Sequence, residues 1–148
     1  MLVSLIIFDF SSQTYHEQTL VPSLEKWILG EPLKGPLSHI SFSYGGSEVS
    51  IAAKGYYYFI EFFIRKFAHF SIYFILSFLV FSALSYLLKK RRSAILWTAF
   101  FIVLYASSDE IHQAFTGDRT PMVRDVVIDF IGGMMAIVLT LIFKRKRK

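Results

Sequence analysis

Residues 67–88, FAHFSIYFILSFLVFSALSYLL, lie between the pair Arg65-Lys66 and the block Lys89-Lys90-Arg91-Arg92, and their reading decides the fold. Only His69 interrupts this run with a strongly polar side chain. At 1.5 Å per residue it extends about 33 Å as a helix, and a hydrocarbon core is about 30 Å thick, so it reads as a membrane span. A second apolar run, residues 122–143, ends in Lys144-Arg145-Lys146-Arg147-Lys148. The two basic blocks hold no acid, and the positive-inside tendency makes them cytoplasmic. All eleven acidic residues then fall on the other side. So do the clusters Arg65/Lys66/His69, Asp109/Glu110/His112 and Arg119/Arg124/Asp125/Asp129, which places three separate stretches at one outer boundary.

Composition agrees. The chain is 54% hydrophobic and 18% aromatic with a mean hydropathy of +0.49, more apolar surface than a soluble domain of this size readily hides. Residues 94–108 are apolar for too short a stretch to cross, so this helix must continue through Asp109-Glu110-Ile111-His112-Gln113. Pro121 suits a helix start, and the span beyond it carries Asp125 and Asp129 in its first half. Residues 1–10 are apolar apart from Ser4 and Asp9 but too few to cross as a helix, and they read as the outer end of a first span. Without a basic leader or an obvious small-residue cleavage pattern, they make a poor cleavable signal. The expectation is an all-α membrane protein: one domain forming a four-transmembrane-helix bundle with a truncated first helix. Its spans lie near residues 1–12, 59–88, 93–115 and 121–143, and residues 13–58 form an extracytoplasmic loop.

That loop carries a β-hairpin signal, with alternation at Ile40-Ser41-Phe42-Ser43-Tyr44, a turn at Gly45-Gly46 and alternation again at Val49-Ser50-Ile51. Residues 20–29 are short and amphipathic, with Trp27 suited to the interface. A cap over the bundle is the plainer reading, and a partner-binding loop the alternative. The chain has no cysteine, which excludes a disulfide-stapled cap.

The chemistry lies in the spans. Arg65, His69 and Tyr73 follow an i, i+4, i+8 stripe with Lys66 beside it, and Asp109, His112 and Gln113 share a face at i, i+3, i+4. Glu110 projects to the side and is placed to meet Gln113. Asp125 and Asp129 are one turn apart, and Gly132 with Ala136 makes a small-xxx-small pair that lets another helix come close. Near the helices, Arg65, Lys66, Arg119 and Arg124 face Asp109, Glu110, Asp118, Asp125 and Asp129. Such near-balance suits a salt-bridge network that fixes helix register, with Asp129 paired to Arg65 or Lys66. The histidines, tyrosine and glutamine exceed what register needs and favour a working site.

The strings Arg65-Lys66-Phe67-Ala68-His69-Phe70 with Tyr73, Ser108-Asp109-Glu110-Ile111-His112-Gln113-Ala114-Phe115, Arg119, and Arg124-Asp125-Val126-Val127-Ile128-Asp129-Phe130-Ile131-Gly132-Gly133 resemble the signature set of the VanZ-like family. Phe10-Ser11-Ser12-Gln13 is similar to that family's first-helix ending, so the likeness covers nearly the whole chain. The resemblance implies a small bacterial membrane protein related to one that raises resistance to the glycopeptide teicoplanin, and it supplies no reaction.

Function is therefore weighed from the site. As an enzyme at the outer leaflet, the chain offers His69, Asp109, Glu110 and His112 as general acids or bases. Arg65, Lys66, Arg119 and Arg124 would hold an anionic group of the ligand, with Tyr73, Gln113, Asp125 and Asp129 completing the site. Ser108, Ser71 and Tyr73 are more simply packing or hydrogen-bonding residues than nucleophiles. No metal or cofactor is expected, since the Asp-Glu-x-His-Gln string lacks the i, i+4 histidine pair of a metalloprotease helix and four cations lie nearby. The alternative is a non-enzymatic protein that sequesters a lipid-linked ligand, or a structural one whose charges fix packing. Proton-linked transport is disfavoured because the cytoplasmic halves of the spans lack charged stepping stones. The short basic blocks adjoin helix ends and suit anionic lipid, not nucleic acid. The partner expected is a membrane lipid, a cell-envelope precursor or a lipid-tailed glycopeptide.

Overall fold

The computed structural model describes residues 19–116 and 122–146. Three long helices dominate: α4 (Tyr56–Leu87), α5 (Arg91–Thr116) and α6 (Val123–Lys146). Each is long and apolar enough to cross a membrane. Before them come two short helices, α1 (Val21–Trp27) and α2 (Lys34–Leu37), strands β1 (Ser41–Tyr44) and β2 (Ser47–Ser50), and the single turn α3 (Ile51–Lys54). The chain is thus mostly helical with a small two-stranded sheet and three candidate spans among the described residues. The segment expected to end a first span lies outside them, as do Pro121 and Arg119.

The hairpin forms where the alternation and the Gly-Gly pair predict it. Gly45 and Gly46 take φ of 59° and 82°, the left-handed pair of a tight hairpin turn, and Phe42 pairs with Val49 in the register. The second strand stops one residue earlier than the alternation suggests. The Ser50 side chain accepts from the Ala53 backbone N–H at 3.1 Å and so opens α3 at Ile51. Gly55, at φ 85°, then turns the chain into α4.

Length arithmetic sets the levels. The 32 residues of α4 extend about 48 Å, well beyond a hydrocarbon core of about 30 Å. Counted back from Leu87, the core is used up near Ala68. Residues 56–66 therefore stand beyond it as a post, and the cap folds around that post. Phe59, Tyr56, Val49 and Ile51 form the cap's buried cluster, while the Tyr56 and Tyr57 hydroxyls donate to the Pro32 and Ile28 carbonyls at 2.7 and 3.1 Å. The membrane-spanning part of α6, Val123–Phe143, matches the core in length. On α5, Asp109 lies about 27 Å along the axis from Arg91. Lys66, Asp109 and Asp125 consequently come to one level.

Within the bundle α4 packs chiefly on α6, and α5 on both. Tyr73, Leu76, Ile102 and Ala106 make the core beneath the polar level, and Phe81, Ala94 and Ile137 the core at the far end. The α4–α6 crossing is tight at Gly132: a Cβ there would meet the Phe70 carbonyl oxygen at 2.5 Å. Two turns beyond Phe70 on α4, the Ser77 hydroxyl donates to the Gly133 carbonyl at 2.8 Å. The small-residue spacing of α6 thus supports a close helix contact.

Candidate functional site

The polar level is assembled from α4, α5, α6 and the hairpin. On α4, the stripe continues one turn above Arg65 to Glu61, which is only 1% exposed. Arg65 Nε and Nη2 donate to Glu61 Oε1 at 3.0 and 2.9 Å, and the Leu20 backbone N–H donates to the same oxygen at 2.9 Å. Glu61 therefore joins Arg65, on its own helix, to the entry to α1. Lys66 forms an ion pair with Asp125, in the first turn of α6. Asp129 faces His69 instead: Nδ1 and Oδ1 stand 3.6 Å apart, an ion-pair distance beyond hydrogen-bond length.

These contacts correct the pairing expected from charge balance. Arg65 is a turn too far toward the cap to reach Asp129, and it has a carboxylate at i−4 on its own helix. Lys66 takes the nearer acid at the start of α6. Asp129, 2% exposed, is left to the imidazole. The Glu110–Gln113 contact is likewise replaced. The Gln113 amide donates to Asp109 Oδ2 at 3.1 Å, because i, i+4 neighbours lie on the same face, while Glu110 Oε1 accepts the Met122 backbone N–H at 2.7 Å. Glu110 thereby satisfies a donor ahead of α6, a group that every helix start leaves open.

Asp109 and Asp129 both lie within electrostatic range of the His69 imidazole and the Tyr73 phenol, and Glu110 within range of His69, Lys66 and Asp125. The structure thus brings Lys66, His69, Tyr73, Asp109, Glu110, Asp125 and Asp129 together, with Gln113 bound to Asp109. His112 is half-buried on α5, one turn from Asp109. Arg124 turns to the cap, donating to the Ser43 carbonyl at 3.0 Å with its guanidinium 5.7 Å from the Tyr44 ring centre. Among the described residues no group of three His, Asp or Glu side chains converges as a metal-binding set.

Sequence reasoning missed two members. Tyr44, at the hairpin tip, donates its hydroxyl to Asp125, and its ring lies 4.7 Å from the Lys66 ammonium. Burial, and then the hydrogen bond to Asp125, push the Tyr44 phenol above its ordinary range. Tyr44 ends the alternating run of β1, and that alternation marks a strand without saying what the strand's end touches. Glu61 carried a periodic signal, since it continues the Arg65/His69/Tyr73 stripe at i−4.

Buried ion pairs such as these are costly to desolvate and costly again to break, so the arrangement holds fixed charges in a water-poor setting. It leaves three buried polar atoms, His69 Nδ1, Asp129 Oδ1 and Tyr73 Oη, without a hydrogen bond. Two of them, His69 Nδ1 and Asp129 Oδ1, are the atoms that face each other at 3.6 Å. The His69 side chain, 31% exposed, is the accessible member of its pair.

The family model described as VanZ/LLP1 matches residues 1–144. No curated protein and no solved structure matches the chain. With the family match spanning almost the whole sequence and three apolar helices long enough to cross a bilayer, the chain is a multi-pass membrane protein and belongs to the VanZ/LLP1 family.

Proposed function

We propose that the cluster binds the polar head of a lipid-linked ligand, a cell-envelope precursor or a lipid-tailed glycopeptide, at the extracytoplasmic face of a bacterial cell membrane. In this reading the protein serves glycopeptide resistance or envelope homeostasis. The observation that carries it is convergence: ionisable groups from three helices and a hairpin meet at one boundary level. Charges in that setting persist mainly where they pair, line a wet cavity or do work. Pairing accounts for Glu61, Arg65, Lys66 and Asp125, while the inner His69–Asp129–Tyr73 corner keeps unmet hydrogen-bonding capacity. The basic blocks set the orientation, with the carboxy terminus and the α4–α5 loop cytoplasmic.

The test expresses His69→Gln, Glu110→Gln and Asp129→Asn at wild-type abundance and measures protection against a lipid-tailed glycopeptide. Loss of protection is expected in each, and wild-type protection from all three overturns the site. A cysteine at Ser47 in the hairpin should react with an impermeant thiol reagent in intact cells, and one at Ser93 should not.

A second reading, proton transfer, is favoured by the His69–Asp129 pair, since a carboxylate beside an imidazole orients it as a general base. Loss of such a base costs about 10²–10⁴-fold in rate, whereas a binder loses affinity in smaller steps. Graded loss of protection across the three variants supports binding, and uniform abolition supports turnover.

A further inference from the structure

The far end of the bundle gathers positive charge. Lys89, Lys90, Arg91 and Arg92 join α4 to the first turn of α5, and all four are exposed. Among the described residues none of the four forms an ion pair. The spanning helices supply no carboxylate at this end, since residues 62–108 and 130–148 hold neither Asp nor Glu.

The second basic block comes to the same end. Leu88, Ile95 and Leu141 all pack against the core of Phe81, Ala94 and Ile137, which ties the α4–α5 loop, the start of α5 and the last turns of α6 to one level. From Leu141, Lys144 is about 4.5 Å further along α6, and the helix runs on to Lys146. Lys89 follows two residues after Leu87, where the hydrocarbon core counted along α4 ends. Both blocks thus begin just outside the apolar core, at the depth of the lipid phosphates. Tyr86 and Trp97, both exposed, lie on either side of this edge in sequence, the aromatic placement of a membrane interface.

Unpaired bases at that depth draw an acid from outside the chain. Orientation alone asks only for positive charge on one side of the membrane, and either block would supply it. Folding the two together does more, because bases from separate stretches then meet one phosphate with several charge-assisted hydrogen bonds. We propose that the α4–α5 loop and the end of α6 form one binding site for the phosphate of an anionic phospholipid. Position selects lipid over an acidic protein: the bases adjoin the ends of spanning helices, and Leu87 and Leu96 are exposed beside them for acyl chains. The site lies across the membrane from the polar level and is independent of the reading given to that level.

Trp27→Phe leaves Trp97, near this end of α5, as the only tryptophan. The full chain carrying that change is reconstituted in mixed vesicles of phosphatidylcholine and phosphatidylglycerol, with equal leaflets so that the direction of insertion does not matter. At matched bromine content, bromine on the acyl chains of phosphatidylglycerol should quench Trp97 more than bromine on those of phosphatidylcholine. The local enrichment expected is roughly fivefold or more, the effect of even one base near an anionic surface. Lys89→Gln with Lys90→Gln should remove most of it, and so should Lys144→Gln with Arg145→Gln, because a joint site fails when either half is lost. Lys89→Arg with Lys90→Arg should retain it. Partial loss from each Gln pair, with full loss only when both are combined, overturns the joint site in favour of two separate surfaces. Enrichment that high salt leaves unchanged overturns charge as its cause. Equal quenching by the two lipids overturns the proposal altogether and leaves the blocks to orientation or to an acidic protein.

Discussion

The cap end of the bundle and its far end solve the problem of polar side chains in opposite ways. At the far end two buried hydroxyls are absorbed by a helix backbone: Thr98 donates to the Ala94 carbonyl and Thr140 to the Ala136 carbonyl, both at 2.7 Å on their own helix. No partner from another helix is required there, and apolar packing around Phe81 and Ile137 holds the contact. At the cap end the polar groups reach between elements, from Lys66 on α4 and Tyr44 on β1 to Asp125 on α6, and from Glu110 on α5 to the start of α6. Hydroxyls that bond within their own helix add no tertiary constraint, whereas ion pairs between elements fix the elements relative to one another. The far end is held by shape, and the cap end is a polar cluster held by charge.

The sharpest way to break this comparison is to remove one side of a buried pair at the cap end. Arg65→Met leaves the Glu61 carboxylate buried with only neutral donors around it, and the expected loss is about 3–5 kcal/mol of stability. Thermal unfolding in detergent reads it, with Thr140→Val as the far-end control expected to stay within about 1 kcal/mol. Adding Glu61→Gln to Arg65→Met should recover much of the loss, because no uncompensated charge then remains. An equal loss in the single and double variants would mean that the arginine acts through packing of its stem.

A middle-sized effect is expected where the two ends join. In Gly132→Ala the new Cβ meets the Phe70 carbonyl carbon and oxygen at 3.2 and 2.5 Å, a backbone contact that yields only if α4 and α6 move apart. Overpacking of this kind costs about 1–3 kcal/mol. Asp129 is one turn away on α6, so the same variant should also lengthen the His69–Asp129 approach and weaken ligand protection. Lost stability with full protection would separate the crossing from the site.

Much of this arrangement was legible in the chain. Apolar length placed α4, α5 and α6, and helical spacing put Arg65, His69 and Tyr73 on one stripe and Asp109 with Gln113 on another. Gly45-Gly46 marked the hairpin turn. Partner choice was not legible, because charge balance counts residues without heights. Arg65 lies one turn nearer the cap than His69, and that rise of about 6 Å gives Asp129 to the imidazole. Tyr44 was invisible for a related reason: the end of a strand joins a site only through tertiary placement, and periodicity says nothing of where a hairpin tip lands. Glu61 was visible as an extension of the stripe at i−4 from Arg65.

The smallest expected effect concerns the hairpin's hold on the bundle. Tyr44→Phe keeps the ring beside Lys66 but removes the hydroxyl that donates to Asp125, and Asp125 retains the Lys66 ammonium. With one partner left, the loss should be about 1 kcal/mol, the net worth of a typical hydrogen bond. The pH dependence follows from the direction in which the phenol is displaced. Its folded value lies above the unfolded one, near 10, so the folded state holds the proton more tightly. That contribution is fully present below pH 10 and declines as pH rises from there toward the folded value. Wild-type hairpin amides should therefore exchange faster as pH climbs past 10, after correction for the intrinsic rate, while Tyr44→Phe should lack that added step. If both chains follow the same alkaline profile, the phenol does not tie the hairpin to α6, and the cap rests on the apolar cluster around Phe59 and Val49 alone.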